Sequence, residues 1–203
     1  MTDQRFHEGE RQIQERFDSR RLADRVSEAT FHDTFSDRDR AFIERMDMFF
    51  LATSDASGNL DCSYKGGDPG FVRIIDETTL AFPWYDGNGM FMSAGNVLDH
   101  DRVGMLFIDF QNQWRMRVNG RATIDFEDPL LAAYPGALFV VRVTPEQIFP
   151  NCPRYIHRME LVERSTYVPK ADCDVPDPDW KDHFEDALPA DQQARRAARE
   201  QSE

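Results

Sequence analysis

The feature that constrains this chain most is a succession of short apolar stretches between residues 48 and 150, separated by turn residues. In chain order the stretches are MFFLATSD, LDCSYK, FVRII, TLAFPW, RVGMLFIDF, WRMRVNGRATIDF and ALFVVRVTPEQIF. Links of hairpin length, such as residues 56–59, permit antiparallel pairing, whereas parallel strands need longer crossovers. Six or seven strands in succession therefore predict an antiparallel barrel, because closure removes exposed sheet edges.

Helical signals flank and interrupt these strands. Residues 3–29 carry many charges and a sparse apolar set, which predicts an exposed helix that packs on the barrel or across to a partner subunit. The apolar set is Phe6, Ile13, Phe17, Leu22 and Val26. Ser36 followed by Asp39 predicts a capping box that opens a short helix. Residues 91–99 and 154–165 are also expected to be helical.

These patterns divide the chain into three segments. Residues 1–35 form an N-terminal helical arm, and residues 36–165 form the barrel domain. Residues 166–203 are a polar C-terminal extension that is rich in Pro and Asp, and its last residues are expected to be disordered.

Composition excludes several classes of partner. A formal net charge of -13 argues against sequence-independent binding to DNA or RNA, since that binding depends on Lys and Arg neutralising phosphates. No stretch of the sequence has the pattern of a signal peptide or a membrane span, so the chain is expected to be cytoplasmic.

Cysteine and histidine usage offers no metal site. Cys62, Cys152 and Cys173 are widely spaced without a CxxC pair, which predicts reduced thiols. Cys152 is expected to be a buried structural thiol rather than a nucleophile. The five histidines are isolated, and no hydrolase, nucleotide-phosphate or dinucleotide motif is present, so the catalytic residues stay unknown.

A glycine-rich loop follows the second predicted strand. Gly66, Gly67 and Gly70 permit close backbone approach, and Lys65 and Arg73 flank them with positive charge. The loop is therefore a candidate site for an anionic or heteroaromatic ligand. An ordinary glycine turn is the alternative.

A second candidate loop precedes the helix predicted at residues 91–99. Asn88 and Gly89 lead into a segment with Ser93 and Asn96, and a helix N-terminus offers N–H groups to a phosphate. The alternative is a helix that Asn88 caps without any ligand.

The third candidate is the strand WRMRVNG at residues 114–120. Alternation places Trp114, Met116 and Val118 on one face. Arg115 and Arg117 lie on the other face and invite a counter-anion. Solvent exposure or pairing with acidic side chains is the alternative.

Taken in order, these stretches resemble the pyridoxamine 5'-phosphate oxidase-like family of FMN-binding proteins. The resemblance rests on FIERMDMFFLATSDASGNLDCSYKGGDPGFVRIID, TLAFPWYDGNGMFMSAGNV, RVGMLFIDF, RMRVNG and FPNCPRYIHR, and it covers roughly residues 36–165. It implies a mainly β fold, a six-stranded antiparallel split barrel with peripheral helices. It also implies a homodimer with FMN bound where the subunits meet, acting on a small-molecule substrate.

The resemblance also implies a set of cofactor-binding residues. They are Lys65, Gly66, Gly67, Phe71, Arg73, Phe82, Trp84, Asn88, Gly89, Ser93, Asn96, Arg115 and Arg117. Arg73 and residues 88–93 fall where relatives hold the FMN phosphate and ribityl chain. Residues 65–71 would lie along the isoalloxazine, and Trp84 would contact the flavin or its substrate.

Two departures from the family pattern argue against oxidation of pyridoxamine phosphate itself. Met90 stands where authentic oxidases tend to have a basic residue, and their C-terminal Arg-Leu-x-Pro element is absent. The leading hypothesis is an FMN-dependent oxidoreductase, in which the flavin performs the redox chemistry. The alternatives are a non-catalytic flavin, haem or deazaflavin binding module, and a structural dimer without a ligand.

Overall fold

The computed structural model describes residues 5–171 and 175–200. The described residues form two compact units, with the boundary between Arg164 and Ser165. The strands of the first unit are β1 (Met48–Ser54), β2 (Leu60–Gly66), β3 (Arg73–Asp76), β4 (Thr79–Tyr85), β5 (Arg102–Asp109), β6 (Trp114–Asp125) and β7 (Ala137–Pro150). Its helices are α1 (Glu8–Arg16), α2 (Arg20–Thr30), α3 (Asp37–Ile43), α4 (Met92–Asp99) and a 3-10 helix, Pro129–Ala133.

The strands form one antiparallel sheet in the order β2-β1-β5-β6-β7-β4-β3. Each apolar stretch identified in the sequence forms one of its seven strands, which confirms the predicted antiparallel architecture. The six-stranded count that the family resemblance implied is one too low, because all seven stretches join the hydrogen-bonded sheet.

Side chains, rather than a final ladder, close the barrel. Within the described ranges no ladder joins β2 to β3, so the expectation of closure by strand pairing is wrong. The sheet instead curls around Phe49 of β1, whose ring lies 5.0 Å from that of Phe82 on β4 and 5.1 Å from that of Phe107 on β5. These three rings are fully buried.

A close backbone approach bends β6 against β7. The register shifts between Asn119 and Gly120, and a Cβ atom on Gly120 would lie 2.2 Å from the carbonyl oxygen of Thr144. Only glycine fits at this point, as is typical where a β-bulge brings two backbones together.

The N-terminal arm consists of two helices rather than the single helix predicted. The helical conformation is interrupted at Asp18, which has a φ of +49°, and α2 begins at Arg20. Phe31 then stacks on Phe149 at 4.3 Å, and His32 forms a β-bridge with Ile148. The arm is therefore attached to the barrel at its C-terminal end.

The apolar stripe of the arm does not pack on the barrel. Ile13, Phe17, Leu22 and Val26 are between 48% and 73% exposed, so these side chains gain nothing from the barrel core. That part of the expectation is wrong, while contact with a partner subunit stays a prediction.

The capping box before α3 is confirmed. The Ser36 side chain accepts from the Asp39 N–H, and Asp39 accepts from the Ser36 N–H. Phe42 and Ile43 on this helix and Met46 after it are buried in the core. The compact domain thus begins where the sequence predicts.

The predicted helix at residues 154–165 is wrong. The segment contains a turn at residues 154–155 and no helix. The Ile156 N–H donates to Pro153, and the Met159 N–H donates to Phe110 on the turn after β5. Cys152 at its start is exposed, so the expectation of a buried thiol is also wrong.

The second unit contains a 3-10 segment, Asp179–Ala187, and α5, Ala190–Glu200. Arg196 pairs with Asp182 at 2.7 Å within it. Cys173 and the last residues of the tail lie outside the described residues, and the three-segment division of the chain stays a prediction. No helix among residues 5–171 and 175–200 is long and apolar enough to cross a membrane.

Candidate functional site

The outer face of β6 carries two arginines side by side. Met116 and Val118 point into the core, while Arg115 and Arg117 are half-buried on the opposite face, as alternation predicts. Trp114 begins the strand and is 48% exposed.

Neither arginine has an acidic partner. In the part of the chain that the structure describes, no salt bridge joins Arg115 or Arg117 to a carboxylate, and the Arg115 Nε is buried without a hydrogen-bond partner. The Arg117 guanidinium lies 5.8 Å from the Phe149 ring centroid. Burial lowers the pKa of Arg117, and the charge of Arg115 lowers it further. In a chain with 37 acidic residues, pairing with acids is therefore not what this face does.

An apolar row runs across the outer face of the sheet to these arginines. Strand register places Tyr64, Phe50, Leu106, Arg117 and Phe149 in line on β2, β1, β5, β6 and β7. Tyr64 is 61% exposed, and Phe50 and Leu106 are half-buried. The sequence analysis did not identify this row, although the alternation of Phe50 with the buried Phe49 and Leu51 was a signal for it.

In the C-terminal half of β6, acidic side chains neutralise the positive charge of Arg121. Arg121 donates to Asp101 at 2.9 Å and to Glu146 at 3.0 Å. A cavity of about 310 Å³ beside it is lined in part by Arg102 and Glu146, which form a salt bridge with each other. Its charged groups are already paired, which makes it a weaker anion site than the face of Arg115.

The glycine-rich loop is explained by packing and turn geometry. The Gly67 N–H donates to the Asp47 carbonyl at 2.9 Å, and a Cβ on Gly67 would lie 2.5 Å from the Phe71 ring. Gly70 has a φ of +89°, which a side chain would strain. The ordinary turn is therefore sufficient to account for the glycines.

Two predicted cofactor residues lie in the core. Phe71 is 5% exposed and packs on Phe49, and Phe82 is fully buried. Neither offers surface to a ligand in this structure.

Lys65 and Trp84 form a contact pair between β2 and β4. The Lys65 Nζ lies 3.7 Å from the Trp84 ring centroid, and Trp84 stacks on Phe139 at 5.3 Å. Burial lowers the pKa of Lys65 to about 8, although Asp61 on the same strand acts to raise it. A partly desolvated amine therefore lies against an aromatic cluster.

The N-terminus of α4 lacks a side-chain cap. Phe91 occupies the N-cap position with a φ of 49°, so the alternative with Asn88 as the N-cap is wrong. Asn88 instead accepts from the Met90 N–H at 3.1 Å in a turn that includes Gly89, with a φ of +75°.

The polar side chains of α4 already have internal partners. Ser93 donates to Asp61 at 2.6 Å and lies 2.9 Å from the Ser63 hydroxyl. Asn96 donates to the Thr53 hydroxyl at 3.0 Å. These bonds fasten α4 to β1 and β2. They also bring a carboxylate to its first turn, which disfavours a phosphate there.

Arg73 lies apart from the other two arginines. Its guanidinium is 4.8 Å from the ring of Tyr134. Among the described residues the buried Tyr134 hydroxyl has no hydrogen-bond partner, and burial raises the pKa of Tyr134 to about 12. Arg73 pairs with Ala81 on β4, and β4 and β7 separate its strand from β6. The fold of one chain therefore does not bring Arg73 to the face of Arg117.

The described residues include no group of three or more His, Cys, Asp or Glu side chains arranged to hold a metal ion.

A sequence model of the family described as pyridoxamine 5'-phosphate oxidase matches residues 35–152, more than half of the chain. No curated protein matches the chain significantly.

Several solved structures are similar. HupZ from Group A Streptococcus is 20% identical, with 57% of this chain and 93% of that chain covered and a TM-score of 0.47. An FMN-binding protein from Syntrophomonas wolfei is 12% identical, with 69% and 97% covered and a TM-score of 0.45. The heme storage protein HutZ from Vibrio cholerae is 16% identical, with 55% and 91% covered and a TM-score of 0.41. Likenesses at this level identify no ligand for this chain.

Proposed function

Because the chain belongs to the pyridoxamine 5'-phosphate oxidase family, we propose that it binds FMN on the outer face of its sheet and acts as an FMN-dependent oxidoreductase on a small-molecule substrate. The observation that carries this proposal is the pair Arg115 and Arg117, which lies half-buried on that face with no salt bridge to a carboxylate in the described structure.

The charge of the arginine pair fits a phosphate. Two guanidinium groups on adjacent positions of one strand face repel each other, and an anion that accepts from both relieves the repulsion. Arginine presents several donors in a plane and suits phosphate well. Because the whole chain carries a net charge of -13, attraction of an anion must be local, and this face supplies it.

The apolar row beside the pair fits a flat ring system. Phe50 and Leu106 offer a half-buried apolar surface next to Arg117. These side chains would orient the ring and exclude water from it, while the arginines hold the charged end. When bound, a flavin supplies hydride and electron transfer that protein side chains do not.

We propose that the protein works as a homodimer with the flavin at the subunit interface. Leu60 and Tyr64 on β2 are 86% and 61% exposed, and an apolar sheet face of this kind is typical of an interface. A second copy would cover them. In such a dimer Arg73 of one subunit could reach the arginine face of the other, which the fold of a single chain does not allow.

Oxidation of pyridoxamine phosphate is not the reaction we propose. Met90 is 64% exposed at the position where a basic residue was expected, and it adds no charge for a substrate phosphate. We therefore propose a different small molecule as the substrate.

The proposal is tested by titrating FMN into the purified full chain and recording quenching of flavin fluorescence. Arg117→Gln is expected to weaken binding about tenfold or more, since a hydrogen bond to a charged group contributes about 1.5–3 kcal/mol. Arg121→Gln is the matched control on the same strand, and it should bind like the natural chain. Equal affinities for all three proteins, or no binding of FMN at all, would contradict the proposal.

The oxidoreductase part needs a separate measurement. The flavin-loaded protein is mixed anaerobically with NADH or NADPH, and flavin bleaching is followed at its visible bands. Bleaching followed by reoxidation in air is expected. Tight binding without bleaching by either donor would favour a non-catalytic flavin-binding module instead.

A further inference from the structure

A cavity of about 310 Å³ lies at the β-bulge between β6 and β7, two residues beyond Arg117 along β6. Two amide side chains, Asn119 and Gln147, line it together with Val103 and the backbone of Gly120. Asn119 and Gln147 are directly opposite each other in the register of the two strands, so one ligand edge can contact both.

The charged groups around this cavity compensate one another. Arg102 and Glu146, which also line it, form a salt bridge, and Arg121 donates to both Glu146 and Asp101. These four half-exposed side chains carry two positive and two negative charges. Because the charges balance, they give an anion or a cation little net attraction. The cavity therefore favours a neutral polar ligand.

The two amides leave one acceptor and one donor available to such a ligand. The Asn119 Nδ2 donates to the Gln147 Oε1 in a long hydrogen bond of 3.5 Å. The Asn119 Oδ1 and the Gln147 Nε2 have no hydrogen-bond partner among the described residues, and neither atom is buried. An acceptor beside a donor is the complement of a cis-amide, whose N–H and C=O lie on one edge.

The neighbouring residue on β5 leaves the approach to Asn119 open. Gly104 pairs with Asn119 in the register of β5 and β6, and a Cβ on Gly104 would lie 3.4 Å from the Asn119 Oδ1. Ala52, next in line on β1, adds only a methyl group. A larger side chain at residue 104 would cover the acceptor, so the glycine keeps space for a flat ring.

We propose that this cavity binds a neutral planar heterocycle through a lactam or imide edge. The ring N–H donates to the Asn119 Oδ1, and the adjacent ring C=O accepts from the Gln147 Nε2. Uracil is a small molecule with this edge, and the pyrimidine end of a flavin has the same one. The ligand is therefore a free heterocycle or the flavin ring itself, and neither case requires a phosphate at Arg117.

The test is the binding of uracil to the flavin-free full chain, measured by saturation-transfer difference NMR. 1,3-Dimethyluracil is the matched probe, since it has the same ring and lacks both N–H donors. Uracil is expected to bind about fivefold more tightly or better, because the methylated probe leaves the Asn119 acceptor without a hydrogen bond. Equal binding of the two probes, or no binding of uracil, would overturn the proposal.

Two variants test whether uracil binds at this cavity. Gln147→Met keeps the side-chain length without the donor, and it should weaken uracil binding about fivefold. Gln111→Met, on the exposed turn after β5, is the matched control and should bind like the natural chain. Gly104→Val covers the acceptor with a residue that suits a strand, and it should abolish the preference for uracil. A folded Gly104→Val chain that keeps the preference would overturn the proposal.

A competition experiment identifies the source of the ring. Riboflavin, which has no phosphate, is added to the complex with uracil. Displacement of uracil would assign the cavity to the flavin ring, and simultaneous binding would assign it to a separate heterocycle. Because neither molecule carries a phosphate, these results stand whether or not FMN binding depends on Arg117.

Discussion

Arginine side chains in the two halves of β6 have opposite electrostatic environments. Arg121 donates to Asp101 and Glu146, and these bonds raise its pKa, the bond to Asp101 having the largest effect. Arg117, one bulge away, has no salt bridge among the described residues, and burial lowers its pKa. Although the chain has 37 acidic residues, none of those that the structure describes forms a salt bridge with Arg115 or Arg117, while the same strand face has acidic partners at Arg121. This difference is the reason we propose that the half of β6 with Arg115 and Arg117 binds an anion that the chain itself does not supply.

The largest expected effect is a loss of stability from a substitution at the β-bulge that separates the two halves. Gly120→Val would place side-chain atoms against the Thr144 carbonyl, where even a Cβ lies 2.2 Å away. The free energy of unfolding should fall by about 3 kcal/mol or more, as measured by urea denaturation. Unchanged stability would show that β6 and β7 are not held together as described.

Removing both unpaired arginines should abolish most ligand binding without unfolding the chain. Arg115→Gln with Arg117→Gln is expected to weaken FMN binding about a hundredfold, because two charge-assisted contacts are lost. Fluorescence titration measures the affinity, and the thermal midpoint checks the fold. If the double variant bound FMN as tightly as the natural chain, the lack of salt bridges at Arg115 and Arg117 would have no connection with FMN binding.

Supplying an acid to the unpaired half should make it resemble the paired half. Leu106 lies opposite Arg117 in the register of β5 and β6, so Leu106→Glu places a carboxylate beside the guanidinium. FMN affinity is expected to fall about tenfold, while Leu106→Gln, which has the same shape without the charge, falls less. If the two variants have the same FMN affinity, the loss of affinity is steric, and the proposed electrostatic role of Arg117 is wrong.

The smallest effect should come from salt. Raising the ionic strength from about 0.05 M to 0.5 M is expected to weaken FMN binding severalfold, because the arginines are half-buried and only partly screened. The same change should leave the affinity of the double variant nearly constant. An equal salt response in both proteins would place the phosphate away from β6.

The sequence predicts the positions of the strands more accurately than the residues of the candidate site. Period-two apolar stretches locate all seven strands, because inward residues such as Phe49 and Val118 alternate with outward ones. The helix expected at residues 154–165 fails because its backbone is bound by distant partners such as Phe110, which local pattern does not reveal. Tertiary contacts decided that segment.

The predicted site residues separate for a similar reason. Phe82 and Phe71 are needed in the core, and Ser93 and Asn96 are used to fasten α4. Sequence order alone does not distinguish these uses from ligand binding, because the spatial partners come from other strands. Strand alternation in the sequence already indicates Arg115 and Arg117 as a candidate anion site, but only the structure shows that neither forms a salt bridge with a described carboxylate.

The most direct test of the central claim is a crystal structure of the protein with FMN. The account predicts the FMN phosphate within hydrogen-bond distance of Arg115 or Arg117, on the outer face of β6. A phosphate bound instead at the N-terminus of α4, or in the cavity beside Arg121, would contradict it.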